Sequence, residues 1–271
     1  MRKNVLLQFI LLLVPIGLLW FGLKQLNWIE ILKIEKISKK TEEKLGEIFW
    51  DIFKNSEQEI QNPDIHKPVE QLFNRICLYN KLEPSKYKIY ILNNSMVNAF
   101  ALPNKQLVIY TGLILACDSS AELCGVMAHE LAHIQKRHVT KKLISEMGLG
   151  AVISISGGKA GGEVLRQAAQ MVSSAAFSRA MEKEADLTGA DYLYNANISV
   201  TPLANFMFKL ASDKDMPTAP AWISSHPASD DRAKYLLEYA ETHPVLKSEI
   251  MPASEWEKLQ NAVKQIIQIK E

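Results

Sequence analysis

The sequence predicts an α+β fold: a mostly helical domain with a small antiparallel sheet, preceded by an N-terminal transmembrane helix. Three observations carry this reading. Val5 to Leu23 is apolar apart from Gln8. Three short runs rich in β-branched and aromatic residues follow one another between Tyr87 and Thr111. Through most of the rest, apolar residues recur at helical spacing. The expected division is a membrane anchor over residues 1–27, a helical juxtamembrane connector over 28–62 and a domain over 63–271.

The apolar run, at ~1.5 Å per residue, makes roughly 28 Å of helix, close to the ~30 Å hydrocarbon core of a bilayer. A cleaved signal peptide is the competing reading. The run is long for one, and its exit, Trp20-Phe21-Gly22-Leu23-Lys24, offers no small-x-small cleavage site. In the connector, Ile29, Ile31, Leu32, Ile34 and Ile37, then Leu45, Ile48, Phe49 and Ile52, repeat with mostly helical periodicity, with a weak point at Ser38 to Thr41. Asn62-Pro63-Asp64 punctuates the chain, and a helix is expected from Pro68 to Leu82.

Strands are expected at Tyr87–Leu92, Val97–Leu102 and Gln106–Thr111, separated by polar turns. From Ser119 a helix is expected to run through Ile144, with Ser119 or Ser120 suited to N-capping. Met147 to Gly162 is apolar and glycine-rich, too short to span a bilayer and poor in helix propensity. It reads as a mobile flap near the site or as a packed hairpin tip. Helices then follow at about Glu163–Ser178, Met181–Asn195, Pro202–Lys214 and Ser229–Thr242, and from Ser254.

A chain of 271 residues can bury a substantial core. Its 31 Lys and Arg against 30 Asp and Glu leave no basic surplus to support a nucleic-acid partner. Cys77, Cys117 and Cys124 have no metal-binding spacing and read as small buried hydrophobes; Cys117 and Cys124 can pair only if the fold brings them together.

The chemistry concentrates in His129-Glu130-Leu131-Ala132-His133, inside an expected helix with apolar flanks. Residues four apart share a helical face, so both imidazoles can reach one ion. Glu130 projects beside them, where a carboxylate can take a proton from a zinc-bound water and pass it to a leaving amine. Catalytic zinc sites use three protein ligands and keep one position open. Glu182 and Asp186 are again four apart: Glu182 can supply the third ligand while Asp186 accepts the far N–H of a ligand histidine. Glu184 is the rival ligand, and spacing does not separate the two. His138, five residues after His133 and roughly 140° further around a continuous helix, is expected to point away from the metal. His66 and His243 have no partner pattern.

His129-Glu130-x-x-His133 followed by Ser178-Arg179-x-x-Glu182-x-x-Ala185-Asp186 and Gly189 resembles the HtpX-like and CAAX prenyl-protease family of zinc metallopeptidases, the gluzincins. Asn98-Ala99-Phe100-Ala101-Leu102-Pro103 and Tyr110-Thr111-Gly112-Leu113 are similar to the family segment before the zinc helix. The resemblance runs from about Pro68 to Tyr239. It implies one zinc ion per chain on His129, His133 and Glu182, with Asp186 supporting a ligand. It also implies that the strand at Asn98, Ala99, Phe100 and Ala101 pairs with an extended peptide. His226-Pro227 and Arg232 resemble a late family motif, which implies that His226 approaches the metal, either as a donor to the oxyanion or as a plug in the open position.

The implied activity is metalloendopeptidase cleavage of unfolded or misassembled envelope or membrane-associated proteins. The alternative is a chaperone-like binding module whose zinc is plugged by His226; a purely structural zinc protein leaves Glu130 without a reason. HtpX-type members have several spanning segments and this chain shows one. It therefore resembles the single-anchor, periplasmic quality-control branch, which implies a domain outside the cytoplasm. The lysines after the span (Lys24, Lys33, Lys36, Lys39 and Lys40) read the other way under the positive-inside rule.

Overall fold

Leu123 to Ala128, just ahead of His129, is apolar on every side of a helix, which only a helix buried all round tolerates. That is where it lies. The computed structural model describes residues 13–15, 37–174, 176–212, 220–226, 230–245 and 250–268. The expected membrane anchor and the first part of the connector fall outside these, apart from Leu13–Pro15. Among the described residues no helix is long and apolar enough to cross a membrane.

Helix α1 spans Lys39–Ser56 and α2 spans Pro63–Tyr79. The latter starts earlier than periodicity suggests, because Asn62 caps it by accepting from the Asp64 N–H at 2.9 Å and Pro63 occupies the first turn. A short 3₁₀ turn leads to β1 (Lys88–Leu92), β2 (Ala99–Leu102) and β3 (Gln106–Tyr110). Then come α3 (Thr111–Ala116), α4 (Ser120–Gln135), α5 (His138–Met147), α6 (Leu149–Ser156), α7 (Gly162–Ser173) and α8 (Arg179–Asn195). The remainder is α9 (Thr201–Ser212), α10 (Pro220–Ser225), α11 (Asp230–Thr242) and α12 (Ala253–Gln268).

The sheet corrects one expectation. Its order is β1-β3-β2, with β2 antiparallel to β3 but β1 parallel to it. An antiparallel meander needs a tight turn after β1. Instead Asn93 to Asn98 crosses the end of β3, held by Asn94 N–H to Thr111 Oγ1 at 3.1 Å and Gly112 N–H to Asn94 O at 2.9 Å. The chain therefore re-enters on the far side of β3. The outer edge of β1 is covered by the Gln58–Ile60 segment, through Ile60 N–H to Ile91 O and Asn93 N–H to Gln58 O, both 2.8 Å. That leaves β2 as the edge beside α4.

Lys39–Glu271 forms one compact unit. The described part of the expected connector is built into it: Trp50 of α1 stacks on Tyr90 of β1 with ring centroids 3.4 Å apart. The glycine-rich stretch after Met147 is largely helical rather than a hairpin tip. Gly148, at φ +84°, and Gly158, at φ +68°, lie outside the helix ends, and the residues between form α6 with Val152 and Ile155 buried. Cys77, Cys117 and Cys124 are buried free thiols.

Small residues set the spacing of the helices around α4. A Cβ on Gly125 would come within 2.7 Å of Leu203 on α9. A Cβ on Gly189 of α8 would lie 3.1 Å from the His129 backbone nitrogen. Backbone meets backbone where α8 crosses α4, which sets the reach of every side chain between them. Gly189→Leu should therefore lower stability by about 1–3 kcal/mol in urea unfolding. It should also reduce bound metal in the purified protein, because α8 can accommodate the side chain only by moving away from His129.

Candidate metal centre

α4 starts where Ser119 accepts from the Glu122 N–H at 3.4 Å and places His129, Glu130 and His133 in its buried second half. α8 starts where Ser178 accepts from the Met181 N–H at 3.3 Å, so Glu182 falls in its first turn and Asp186 one turn later. His226 follows α10, with its backbone N–H bonded to Trp222 O at 2.7 Å. His129, Glu130, His133 and His226 are all fully buried, and Glu182 nearly so.

These side chains converge. His129 Nε2 lies 3.0 Å from His133 Nε2, 3.1 Å from His226 Nδ1 and 3.7 Å from Glu182 Oε2. Glu182 Oε1 lies 3.6 Å from His133 Nε2 and 3.0 Å from His226 Nδ1. Ligand atoms around a tetrahedral zinc with bonds of about 2.0–2.1 Å stand roughly 3.4 Å apart, and the observed separations bracket that value. His129 Nδ1 is 2.9 Å from Asp186 Oδ1, off the best hydrogen-bond line but close enough to hold its proton there. With that proton on Nδ1, the Nε2 lone pair of His129 faces His133 Nε2, an arrangement that needs a proton or a cation between the rings. Glu130 Oε1 and His226 Nε2 are fully buried and face each other at 3.3 Å, and Glu182 Oε2 faces Arg232 Nη1 at 2.8 Å. The donor set, three imidazoles and one carboxylate, suits zinc.

Arg232 of α11 organises the far side. Its Nε and Nη2 each donate to Asp186 at 2.7 Å in a bidentate fork, and its Nη1 lies 2.8 Å from Glu182 Oε2 and donates to His226 O at 3.1 Å. Tyr235 also donates to Asp186. Burial alone would raise the Asp186 carboxyl, but the contacts with His129 and Arg232 hold it well below the usual carboxylate range. Burial pushes Glu130 well above that range and the neighbouring Glu182 charge adds to the shift, against the Ala101 N–H, which donates to Glu130 Oε2 at 3.0 Å. Burial also holds His133 and His226 well below the usual imidazole range, keeping their lone pairs available at neutral pH.

Of the residues singled out in the sequence, His129, Glu130, His133, Glu182, Asp186 and His226 come together here. Glu184 does not: it points away from the cluster, to Lys136 at 3.0 Å and His138 at 3.2 Å. His138 stays outside the metal-binding group but packs against its far side. Its Nδ1 lies 3.0 Å from His133 Nδ1, because the helix is broken at Arg137, which adopts the left-handed conformation at φ 56°, and the angular count from His133 does not carry across the break. Asn98, Ala99, Phe100 and Ala101 lie at and just before the edge strand β2, but they are buried; Asn98 Nδ2 donates to Ser173 O at 3.1 Å and α7 packs against β2. Spacing missed Phe177, whose ring sits 4.3 Å from that of His133, and Trp222, 5.2 Å from that of His226. A lone aromatic ahead of an N-cap gives no signal in one sequence.

The family described as Peptidase family M48 matches residues 59–240. The chain is 24% identical over 215 residues to a putative beta-barrel assembly-enhancing protease of Vibrio cholerae, covering 74% of this chain and 44% of the relative. It is 32% identical over 164 residues to the metalloprotease LoiP of Escherichia coli, covering 58% and 63%. It is 24% identical over 197 residues to the mitochondrial metalloendopeptidase OMA1 of Schizosaccharomyces pombe, covering 66% and 58%. The chain thus spans about half the length of the curated relatives it matches.

Replacing Arg232 by Met should cost about 3–5 kcal/mol in urea unfolding, since it leaves the Asp186 and Glu182 carboxylates buried without their cation. Arg232→Lys should recover only part of this, because an ammonium cannot reproduce the fork.

Proposed function

Because this chain belongs to peptidase family M48, we infer that it is a zinc-dependent metalloendopeptidase in which Glu130 handles the proton. The observation that carries the reading is the convergence of His129, His133 and Glu182 at separations of 3.0–3.7 Å, with Glu130 adjoining on the same helix. Bound zinc supplies Lewis acidity toward a peptide carbonyl and brings the pKa of water near 7. His129, His133 and Glu182 hold the ion, and Asp186 fixes the His129 ring so that Nε2 faces it. Glu130 takes the proton of the attacking water and delivers it to the leaving amine. The Ala101 N–H at 3.0 Å holds that carboxylate in one orientation. An extended peptide pairs with β2, whose main chain supplies affinity with loose side-chain preference. The covering of β2 by α7 must open for this to occur.

The substrates are unfolded or misassembled envelope or membrane-associated proteins. Support comes from the name of one relative, a beta-barrel assembly-enhancing protease, and from the apolar run Val5–Leu23, whose length suits a membrane anchor; the likeness to the single-anchor branch is the ground for proposing a domain outside the cytoplasm. A second reading is favoured by one observation: His226 Nδ1 is 3.1 Å from His129 Nε2 and 3.0 Å from Glu182 Oε1, where a fourth ligand would stand. In that reading His226 plugs the site and the protein binds more than it cleaves.

Glu130→Gln should retain stoichiometric zinc by elemental analysis yet digest casein about 10²–10⁴-fold more slowly, and a chelator should abolish digestion by the wild type. His226→Ala separates the two readings: a gain in casein digestion identifies a plug, and a loss identifies a donor to the oxyanion. A topology reporter fused after Leu23 should report an extracytoplasmic location, and a cytoplasmic signal would overturn the orientation.

A further inference from the structure

We propose that His138 and Glu184 form a positioning relay that fixes the metal-facing orientation of His133; the inference rests on His133 being a zinc ligand. His133 has one nitrogen at the cluster, Nε2, and the other, Nδ1, 3.0 Å from His138 Nδ1. Two ring nitrogens at that distance share one proton. For Nε2 of His133 to offer a lone pair to a cation, the proton must be on its Nδ1, which then donates to His138. His138 accepts at Nδ1 and so carries its own proton on Nε2, which faces Glu184 Oε2 at 3.2 Å. Glu184 Oε1 is held in turn by Lys136 Nζ at 3.0 Å. Every nitrogen of both rings then has one role, and no proton is left over.

The two zinc-binding rings of α4 are supported differently. His129 leans directly on the fully buried Asp186, whereas His133 reaches a carboxylate whose side chain is 45% exposed through an intervening imidazole. Both supports come from α8, which also carries Glu182, so one helix presents a ligand and orients the other two. The left-handed backbone of Arg137 makes the relay possible by turning His138 back under His133. Arg137 is held there by its Nε, which donates to Glu42 Oε1 at 2.9 Å. A strained residue persists only where its surroundings fix it, and here the strain delivers an imidazole to the far side of a ligand.

The test uses the full chain, purified and stripped of metal, with zinc affinity read by competition against a chromophoric chelator. His138→Phe keeps the ring but accepts no hydrogen bond; His138→Gln restores an acceptor for His133 and a donor for Glu184. The expected result is a loss of zinc affinity of about 10- to 100-fold in His138→Phe. His138→Gln should recover most of it, and the visible bands of bound Co²⁺ should shift in the Phe protein alone. Wild-type zinc affinity in His138→Phe, or an equal loss in the Phe and Gln proteins, would overturn the relay while leaving the peptidase reading intact. If His138→Phe does not fold, Glu184→Ala at the exposed end decides: several-fold weaker zinc binding supports the relay, and unchanged binding overturns it. A wild-type chain that binds no stoichiometric zinc would overturn both.

Discussion

The constraint on which the rest depends is charge. Glu130, Glu182 and Asp186 are buried around one cluster: His226 lies 3.3 Å from Glu130 and 3.0 Å from Glu182, and Arg232 is the cation in direct contact with Glu182 and Asp186. Three carboxylates, were all of them ionised, would outnumber the one guanidinium in contact with them. Such a deficit is met either by protons or by a cation, and burial already drives Glu130 toward the protonated form. A divalent ion among imidazoles that burial keeps neutral balances the count. The close crossing of α4 and α8, the fork from Arg232 and the capped start of α8 all hold these like charges close together.

Much of this centre was legible in the sequence because helical periodicity converts spacing into direction. His129 and His133, and likewise Glu182 and Asp186, share a face whatever surrounds them. Glu184 could not be separated from Glu182 by spacing, because either carboxylate could turn inward; the structure decides by giving Glu184 to Lys136 and His138. The contact of His138 with the far side of His133 was hidden for the opposite reason. A 100° step per residue holds only inside an unbroken helix, and Arg137 is an ordinary residue whose left-handed backbone carries no mark in composition. The parallel pairing of β1 with β3 was hidden in the same way: three adjacent strands with polar turns look like a meander until the path of Asn93 to Asn98 is known.

The centre is also shut. The rings of Phe177 and Trp222 close over His133 and His226, Phe177 N–H binds Ser225 O at 3.2 Å, and α7 lies along β2. Burial of this kind strengthens every electrostatic contact inside, at the cost of access. Lys142, buried over the Phe177 ring at 4.4 Å and lowered to about 8 by desolvation, belongs to the same cover. In the proposed peptidase reading, a peptide reaching β2 has to part these contacts.

Glu42 lies on the first turns of α1, yet it grips the residue that ends the zinc helix and, beside it, the Thr140 hydroxyl at 2.6 Å. The backbone break at Arg137 is thus clamped from the segment by which the chain enters the domain. A load arriving along that entry bears, through the Glu42 carboxylate, on the backbone between His133 and His138. In mechanical terms, the leading end of the domain is geared to its reactive centre.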